Sequence, residues 1–466
     1  MKQSSFSISD LKKIDEVIWE IPKSYRSDMK VPARVFATEN MLRDTLKDRS
    51  LWQIVNVATL PGISRYALAM PDIHEGYGFP VGGVAAMSVK DGVISPGGIG
   101  YDINCGVRLL MSELSFKEAE PLLDKLADYL YKEIPSGVGR GGRLKLNDRE
   151  LDLVLEKGAE RLAELGYGTK EDLERIESRG RLEGADATKV SNRAKARGRD
   201  QLGTMGAGNH FVEVGRVEKI FSPVDAEKFG LFENQVTILI HTGSRGLGHQ
   251  IATDYIRLMM QAMQKYGISL PDRELACAPF SSKEGQDYFS AMRAGANFAW
   301  ANRQLITWEV RESWKKAGLK GELKILYDVA HNIAKVEQYN NEEVVVHRKG
   351  ATRAFPGEAV LIPGSMGTAS YVLVGTEGAM RESFGSSCHG AGREMSRTEA
   401  RRKIPGKPLK EKLEKEGIHI RAGSFSGLAE EAPEAYKNVD EVVEVVEKTG
   451  IAKRVARLKP IAVVKG

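Results

Sequence analysis

Cysteine is scarce in this 466-residue chain. The three residues, Cys105, Cys277 and Cys388, are far apart and odd in number, which excludes a disulfide framework and suits a reducing compartment. Long apolar runs are also missing. No stretch approaches the roughly 20 uncharged residues needed to span a bilayer, so a soluble protein that makes no use of a membrane is expected. The opening MKQSSFSISDLKKIDEVIWEIP carries Asp10, Asp15, Glu16 and Glu20 where a signal peptide would need an unbroken apolar region. A cytoplasmic location is expected. Familiar nucleotide motifs are absent as well: there is no GxxxxGKS/T, no GxGxxG opening a helix after a strand, and no KxDG of the lysine-nucleotidylating ligases. Any nucleotide must be held some other way. The net charge of +5 is small for this length, so a polyanionic partner has to be argued from where the charges lie.

What is present is globular: 42% hydrophobic and 28% charged residues. The length could hold two or three average domains, but no repeat, low-complexity tract or Pro/Ser-rich linker cuts the chain. The expectation is one interlocked domain over residues 1–466. Runs rich in Val and Ile at 236–240, 323–330, 343–347 and 359–363 read as buried strands. Apolar residues recur at helical spacing over 249–267 and 287–318, and each of those stretches ends in basic residues followed by Gly. The highly charged segment from about 150 to 200 reads as exposed helices and loops, and a helix-rich tail runs from about 398 to 450. The fold class expected is α+β, with mixed sheets surrounded by helices.

The 48 glycines gather in short loops after strand-like runs: PDIHEGYGFPVGG, SPGGIGYDINCGVR, GTMGAGNHFVE, HTGSRGLGH, PGSMGTASY and SSCHGAGR. Glycine there lets the backbone turn tightly and approach a ligand, with main-chain N–H groups free for phosphate. His74, His210, His241, His331 and His389 lie in or beside such loops, and Cys105 sits in another. Asp102 precedes Cys105 by three residues, so a turn across DINC can aim a carboxylate and a thiolate at one ion. Imidazoles from distant strand ends would complete the shell. Asp102, Cys105, His210, His241 and His331 are too many ligands for one tetrahedral ion with an open position. They suit two ions sharing a bridging thiolate, an arrangement that grips phosphoryl groups in line. The plainer alternatives are imidazoles bonded to backbone and, for Cys105, a small buried hydrophobe. The ligand types leave the metal open between zinc and manganese.

His389 stands among small residues and before Arg393, where a free imidazole can attack phosphorus and form a phosphoramidate. The adjacent Cys388 invites a thiol-protease reading, but no separate base and orienting pair is evident. Basic residues cluster at 139–149, 188–199 and 392–412; the second cluster leads into GTMGAGNH and the third follows the His389 loop. Such convergence argues for RNA or DNA. Solvated helix faces are the alternative for the third cluster, where Glu399, Glu411 and Glu414 are interspersed.

At these residues the chain resembles the RtcB family of RNA-splicing ligases. The resemblance runs from PDIHEGYGFPVGGVAA through GVISPGGIGYDINCGVRL, SNRAKARGRDQLGTMGAGNHFVEV, HTGSRGLGHQ, YDVAHN, HRKGATRAFP, LIPGSMGTASYVLVGTEGAM and FGSSCHGAGR to EEAPEAYKNVDEVV and KPIAVVKG. It implies an RtcB-like catalytic fold and a GTP- and manganese-dependent ligase that joins RNA 3'-phosphate or 2',3'-cyclic phosphate ends to 5'-hydroxyl ends. Such enzymes complete tRNA splicing, joining tRNA exon halves, and repair broken RNA. Carried over residue by residue, one Mn2+ falls to Asp102, Cys105 and His210 and a second to Cys105, His241 and His331, with His389 the guanylylated residue. The implied GTP pocket comprises Asn209, His210, Phe211, Val212, Glu213, His331, Asn332, Pro363, Gly364, Ser365, Met366, Ser370, His389, Gly390, Ala391, Gly392 and Lys465. Tyr436 is the candidate to stack on the base, and Arg197, Arg245 and Arg397 are the candidates for RNA phosphates. Relatives often act with an archease activator. The chain departs from the family pattern between Pro356 and Leu361, where some relatives carry a longer loop, a difference that bears on local surface or partner contacts. Two other classes compete: a metal-dependent phosphodiesterase that only opens cyclic phosphates, and a non-catalytic RNA-binding scaffold.

Overall fold

The four Val/Ile-rich runs are strands, and they belong to two sheets that carry most of the molecule. The computed structural model describes residues 6–137, 139 and 141–466; Arg140 of the first basic cluster and the first five residues of the opening segment lie outside the described residues. One sheet has seven strands in the order Lys12–Asp15, Ile18–Ile21, Ala33–Phe36, Ile63–His74, Val81–Ser88, Glu342–Lys349, Asn332–Tyr339. The other runs Lys324–Ala330, Gly106–Ser115, Gln235–Thr242, Phe211–Ile220, Ala452–Lys465, Ser370–Gly375, Ala359–Ile362, with His419–Ala422 pairing parallel to Ala452–Lys465. Both sheets mix parallel and antiparallel pairs, as the α+β expectation requires. The strand Asn332–Tyr339 of the first sheet follows Lys324–Ala330 of the second with only His331 between them, so the two sheets meet at that histidine.

Gln235–Thr242 is buried along its whole length, which is why its sequence reads as a continuous apolar run rather than an alternation. The two long helices form where helical spacing predicts them, over Arg245–Lys265 and Lys283–Ala317. The second spans 35 residues, is capped by Ser282, whose side chain accepts from the Gly285 N–H, and ends at Gly318 in the left-handed conformation. Its middle is buried on nearly every side, from Ala294 to Thr307. This helix is the post on which the loops of the site hang.

The charged 150–200 segment forms short helices, including Asp148–Lys157, Ala159–Glu164 and Asn192–Gly198. It is less exposed than its composition suggests, because Leu151, Val154, Leu155 and Leu162 are buried in the cluster around the long helix. The tail is helical as expected over Arg397–Lys403, Gly406–Lys415, Phe425–Glu430 and Val439–Lys448, with the strand His419–Ala422 inserted. One glycine loop departs from the rule that they follow strands: GTMGAGNH comes after the helix Asn192–Gly198 and leads into a strand. The short connection after Pro356 closes as a turn, the Gly357 N–H donating to the Gly375 carbonyl oxygen at 3.0 Å, with Arg353 and Glu358 paired beside it at 2.8 Å. Among the described residues no helix is long and apolar enough to cross a membrane.

Candidate active site

Four neighbouring antiparallel strands bring four of the presumed ligands to one end of the second sheet. His331 follows Lys324–Ala330, Cys105 precedes Gly106–Ser115, His241 ends Gln235–Thr242, and His210 precedes Phe211–Ile220. Alternating strand direction is what makes the C-terminal end of one strand and the N-terminal end of the next coincide. In register, Ala330 faces Gly106, Val107 faces His241, and His241 faces Phe211.

The side chains converge. Cys105 Sγ lies 3.3 Å from Nε2 of both His210 and His241, His241 Nε2 lies 3.4 Å from His331 Nε2, and Asp102 Oδ2 lies 2.9 Å from His210 Nε2. Two triads result, Asp102/Cys105/His210 and Cys105/His241/His331, each with ligand atoms within 4.8 Å of one another. Burial, aided by neighbouring histidines, holds His241 and His331 well below the ordinary imidazole range, so both present lone pairs. Burial alone would raise Asp102, but the His210 hydrogen bond and charge together with Arg245 hold it below the usual carboxylate range. Burial and the Asp102 charge push the Cys105 thiol up. Lone pairs of imidazole nitrogens and a carboxylate facing one another in a buried place repel unless a cation lies among them. The donor set of nitrogen, sulfur and oxygen therefore fits two divalent ions sharing Cys105.

The turns that hold these ligands are pinned from behind by the long helix. Arg303 donates to the Asn104 carbonyl oxygen at 2.8 Å and the Thr242 carbonyl oxygen at 2.9 Å, fixing the loops of Cys105 and His241 together. Asn302 accepts from the Gly203 and Thr204 N–H groups and donates to the Thr204 and Gly243 carbonyl oxygens, tying in the loop before His210. Asn104 itself has φ of 51°, a left-handed conformation that Asn tolerates better than most residues. Gly243 is required by space, since a Cβ there would meet Asp102 Oδ1 at 2.4 Å. Sequence reasoning missed Arg303 and Asn302 because nothing in a helix interior announces a contact across the fold.

It also missed Asp72. This carboxylate is fully buried and its Oδ2 accepts from His389 Nδ1 at 2.5 Å and from the His389 backbone N–H at 3.1 Å. Nδ1 is thereby the ring nitrogen engaged by Asp72, and Nε2 is the one turned away from that carboxylate. His389 follows the short strand Ser386–Cys388, and its ring centroid stands 4.8 Å from that of His331. Cys388 is fully buried with its thiol pushed well up by burial, so the two neighbours do point apart and no thiolate nucleophile stands here. His74, on the same strand as Asp72, is half-buried and lowered to about 4, chiefly by desolvation.

Beyond His389 a cleft opens, lined by Asn209, Phe211, His331, Asn332, Pro363 to Met366, His389 to Gly392, Arg397, Tyr436 and Lys465. Lys465 Nζ donates to the Gly208 carbonyl oxygen at 2.8 Å. The Tyr436 hydroxyl is bonded to Glu431 and to Arg393 Nη1, and its ring lies under the Arg393 guanidinium at 4.8 Å. Four residues expected in the nucleotide pocket do not line it. His210 is buried, its Nε2 turned to Asp102 and Cys105. Val212 alternates to the other face of its strand, into the core with Leu110 and Ile240. Ser370 sits behind the Pro363–Met366 turn, its Oγ accepting from the Gly364 N–H at 3.2 Å. Glu213 lies buried, pushed up to about 8 by desolvation against the pull of Lys465. Of the three arginines, Arg397 is exposed at the cleft and Arg197 is exposed on its helix, its Nη1 donating to Gln250 at 2.9 Å. Arg245 instead packs behind the ligands, Nη1 3.0 Å from His210 Nδ1.

Fold and site thus define a mixed α+β protein with paired metal-ligating triads sharing one cysteine, a carboxylate-held histidine beside them, and a cleft beyond. The chain matches the family model described as tRNA-splicing ligase RtcB over residues 53–466. It is 55% identical to a protein named tRNA-splicing ligase RtcB from Thermococcus kodakarensis, over 98% of this chain and 99% of that relative. It is 53% identical to one of the same name from Archaeoglobus fulgidus, with the same coverage, and 50% identical to one from Pyrobaculum aerophilum. The chain belongs to the RtcB family.

Proposed function

We propose that this chain is one RtcB-like catalytic domain over residues 1–466, acting in the cytoplasm as a GTP- and manganese-dependent RNA ligase in tRNA splicing and RNA repair. The observation that carries the reading is His389: a single imidazole, its Nδ1–H held by a buried carboxylate and its Nε2 free, beside two metal-ligating triads at the mouth of a cleft. Two Mn2+ ions, when bound, withdraw charge from phosphoryl oxygens. Asp102, Cys105 and His210 would hold one, and Cys105, His241 and His331 the other.

His389 Nε2 attacks the α-phosphorus of GTP. The N–P bond forms as the bond to pyrophosphate breaks, and Asp72 offsets the positive charge that develops on the ring. A 2',3'-cyclic end is first opened by water to a 3'-phosphate. An oxygen of that phosphate then displaces His389 and leaves RNA-ppG. The 5'-hydroxyl attacks the RNA phosphorus, loses its proton, and expels GMP. Phe211, the Pro363–Met366 turn and Lys465 bind the nucleotide. Glu213, buried behind the cleft beside Lys465, supports the nucleotide site from beneath, and Tyr436 packs against the base. Arg397 holds RNA phosphate at the cleft, and Arg197 does so from its helix. An archease activator is a candidate partner.

The test is to incubate the protein with α-labelled GTP and manganese, denature it, and follow the label in wild type and His389→Ala. Acid-labile label on wild type and none on the variant is expected. No label with any divalent metal would move the reading to a phosphodiesterase that only opens cyclic ends.

A further inference from the structure

On the Asp102 side of the ligands stands a row of aromatic rings that neither triad uses. Tyr101 stacks on His249 with centroids 4.8 Å apart and planes at 24°, and Tyr77 leans on Tyr101 at 5.4 Å and 59°. His249 is exposed and both tyrosines are half-buried, although rings of this size usually gain by full burial. The row is held in place by the turns that aim the metal ligands. Tyr101 immediately precedes Asp102, and His249 lies near the start of the helix Arg245–Lys265, just after the loop that follows His241. A cation stands next to it: Gln250, beside His249, holds the Arg197 guanidinium at 2.9 Å. Exposed aromatic rings with an adjacent arginine at a phosphoryl-transfer site are the ingredients of single-strand nucleic-acid binding, in which a base stacks and a backbone phosphate pairs.

The geometry also selects which strand. His389 lies on the His331 side, the ring centroids of the two histidines being 4.8 Å apart, and the cleft runs from there past Asp102 to Tyr101. In the joining step the entering hydroxyl and the departing GMP lie on opposite sides of the phosphorus. With GMP on the His331 side, the hydroxyl arrives across the Asp102 side, where the aromatic row stands. Resting on the ligase reading, we propose that Tyr101 and His249, backed by Tyr77, form a stacking platform for the terminal base of the 5'-hydroxyl strand, with Arg197 on the phosphate that follows it.

The test uses the full-length protein and RNA carrying 2-aminopurine as the first base of a 5'-hydroxyl strand, whose fluorescence is quenched on stacking. Wild type quenches the probe. Tyr101→Leu and His249→Ala each weaken binding of that strand by about tenfold, the worth of one base–aromatic stack, while Tyr101→Phe binds as wild type does. In joining assays both weakened variants raise the KM for the 5'-hydroxyl strand and accumulate RNA-ppG, and the KM for the 3'-phosphate strand does not move. His249→Ala keeps the result readable if the change at Tyr101 disturbs the neighbouring ligand. Label on His389 with unchanged quenching and KM in both variants would overturn the platform and leave the ligase reading standing. Absent label with quenching lost in the variants would do the reverse. A response from a probe on the 3'-phosphate strand instead would overturn the assignment of polarity.

Discussion

Asp72 lies 317 residues before the histidine it holds, and its contribution can be separated from the mere presence of an imidazole. Asp72→Asn preserves shape but removes the charge that, in the proposed reaction, opposes the cation developing on His389. Both His389 bonds go to Oδ2, so the amide oxygen can keep them and the charge is what is lost. GMP attachment is expected to slow by about a hundredfold or more, with circular dichroism and metal content unchanged. Labelling at the wild-type rate would mean that the carboxylate serves only to pack. The loop histidines and Cys105 could be picked out in the sequence because polar, metal-seeking side chains stood in glycine-rich turns. Asp72 could not, because an aspartate before a loop is ordinary and its partner is supplied only by the fold. Glu213 and Val212 show the same limit in another form. Adjacent in sequence, they face opposite sides of one strand, so a contiguous motif overstates the pocket by the residues that alternate away.

At the level of elements, the helix Lys283–Ala317 does more than fill the core. Asp328, on the strand Lys324–Ala330, is fully buried between Arg108 and Arg303, accepting from Arg108 Nε at 2.7 Å, Arg303 Nε and Nη2 at 2.9 Å, and Trp300 Nε1 at 3.1 Å. That carboxylate sets the guanidinium that in turn fixes the Cys105 and His241 loops. Asp328→Ala would leave two buried guanidinium groups facing each other without a counter-charge. A loss of about 3–5 kcal/mol in denaturant titration is expected, together with weaker metal retention. A loss under about 1 kcal/mol would show that the arginines find other partners and that the loops stand without this brace. The helix was legible from its periodicity and the strand from its apolar run. Their joint task was not, because Arg303 and Asp328 read in sequence as a charged residue in a helix and an acid beside a histidine motif. The closing strand Ala452–Lys465 was missed as an element for a related reason. Lysines and arginines interrupt its apolar residues, and its place beside Phe211–Ile220 depends on pairing with a segment far away in sequence.

For the whole molecule, the proposed metal sites would make metal, protons and folding one coupled equilibrium. The Cys105 thiol is pushed up by burial and by Asp102, so without metal it keeps its proton through the neutral range, and loading must expel it. His241 and His331 are already neutral there and release none. The sign follows directly. Protons compete with the ion at the shared sulfur, so apparent metal affinity rises with pH, by roughly tenfold per unit for each proton displaced. Titration of the metal-free protein with Mn2+ between pH 6.5 and 8.5 should show affinity rising with pH and protons released on loading. Cys105→Ala should lose the slope, hold the ions far more weakly, and fail to attach GMP. Because the ligands come from four strands of one sheet and from loops braced by one helix, loading should also raise the thermal midpoint, by an amount that grows with metal concentration and with pH. A pH-independent affinity in the wild type would mean that the thiolate is already formed in the apoprotein. A midpoint indifferent to metal would mean that the ions bind elsewhere than at the junction of these elements.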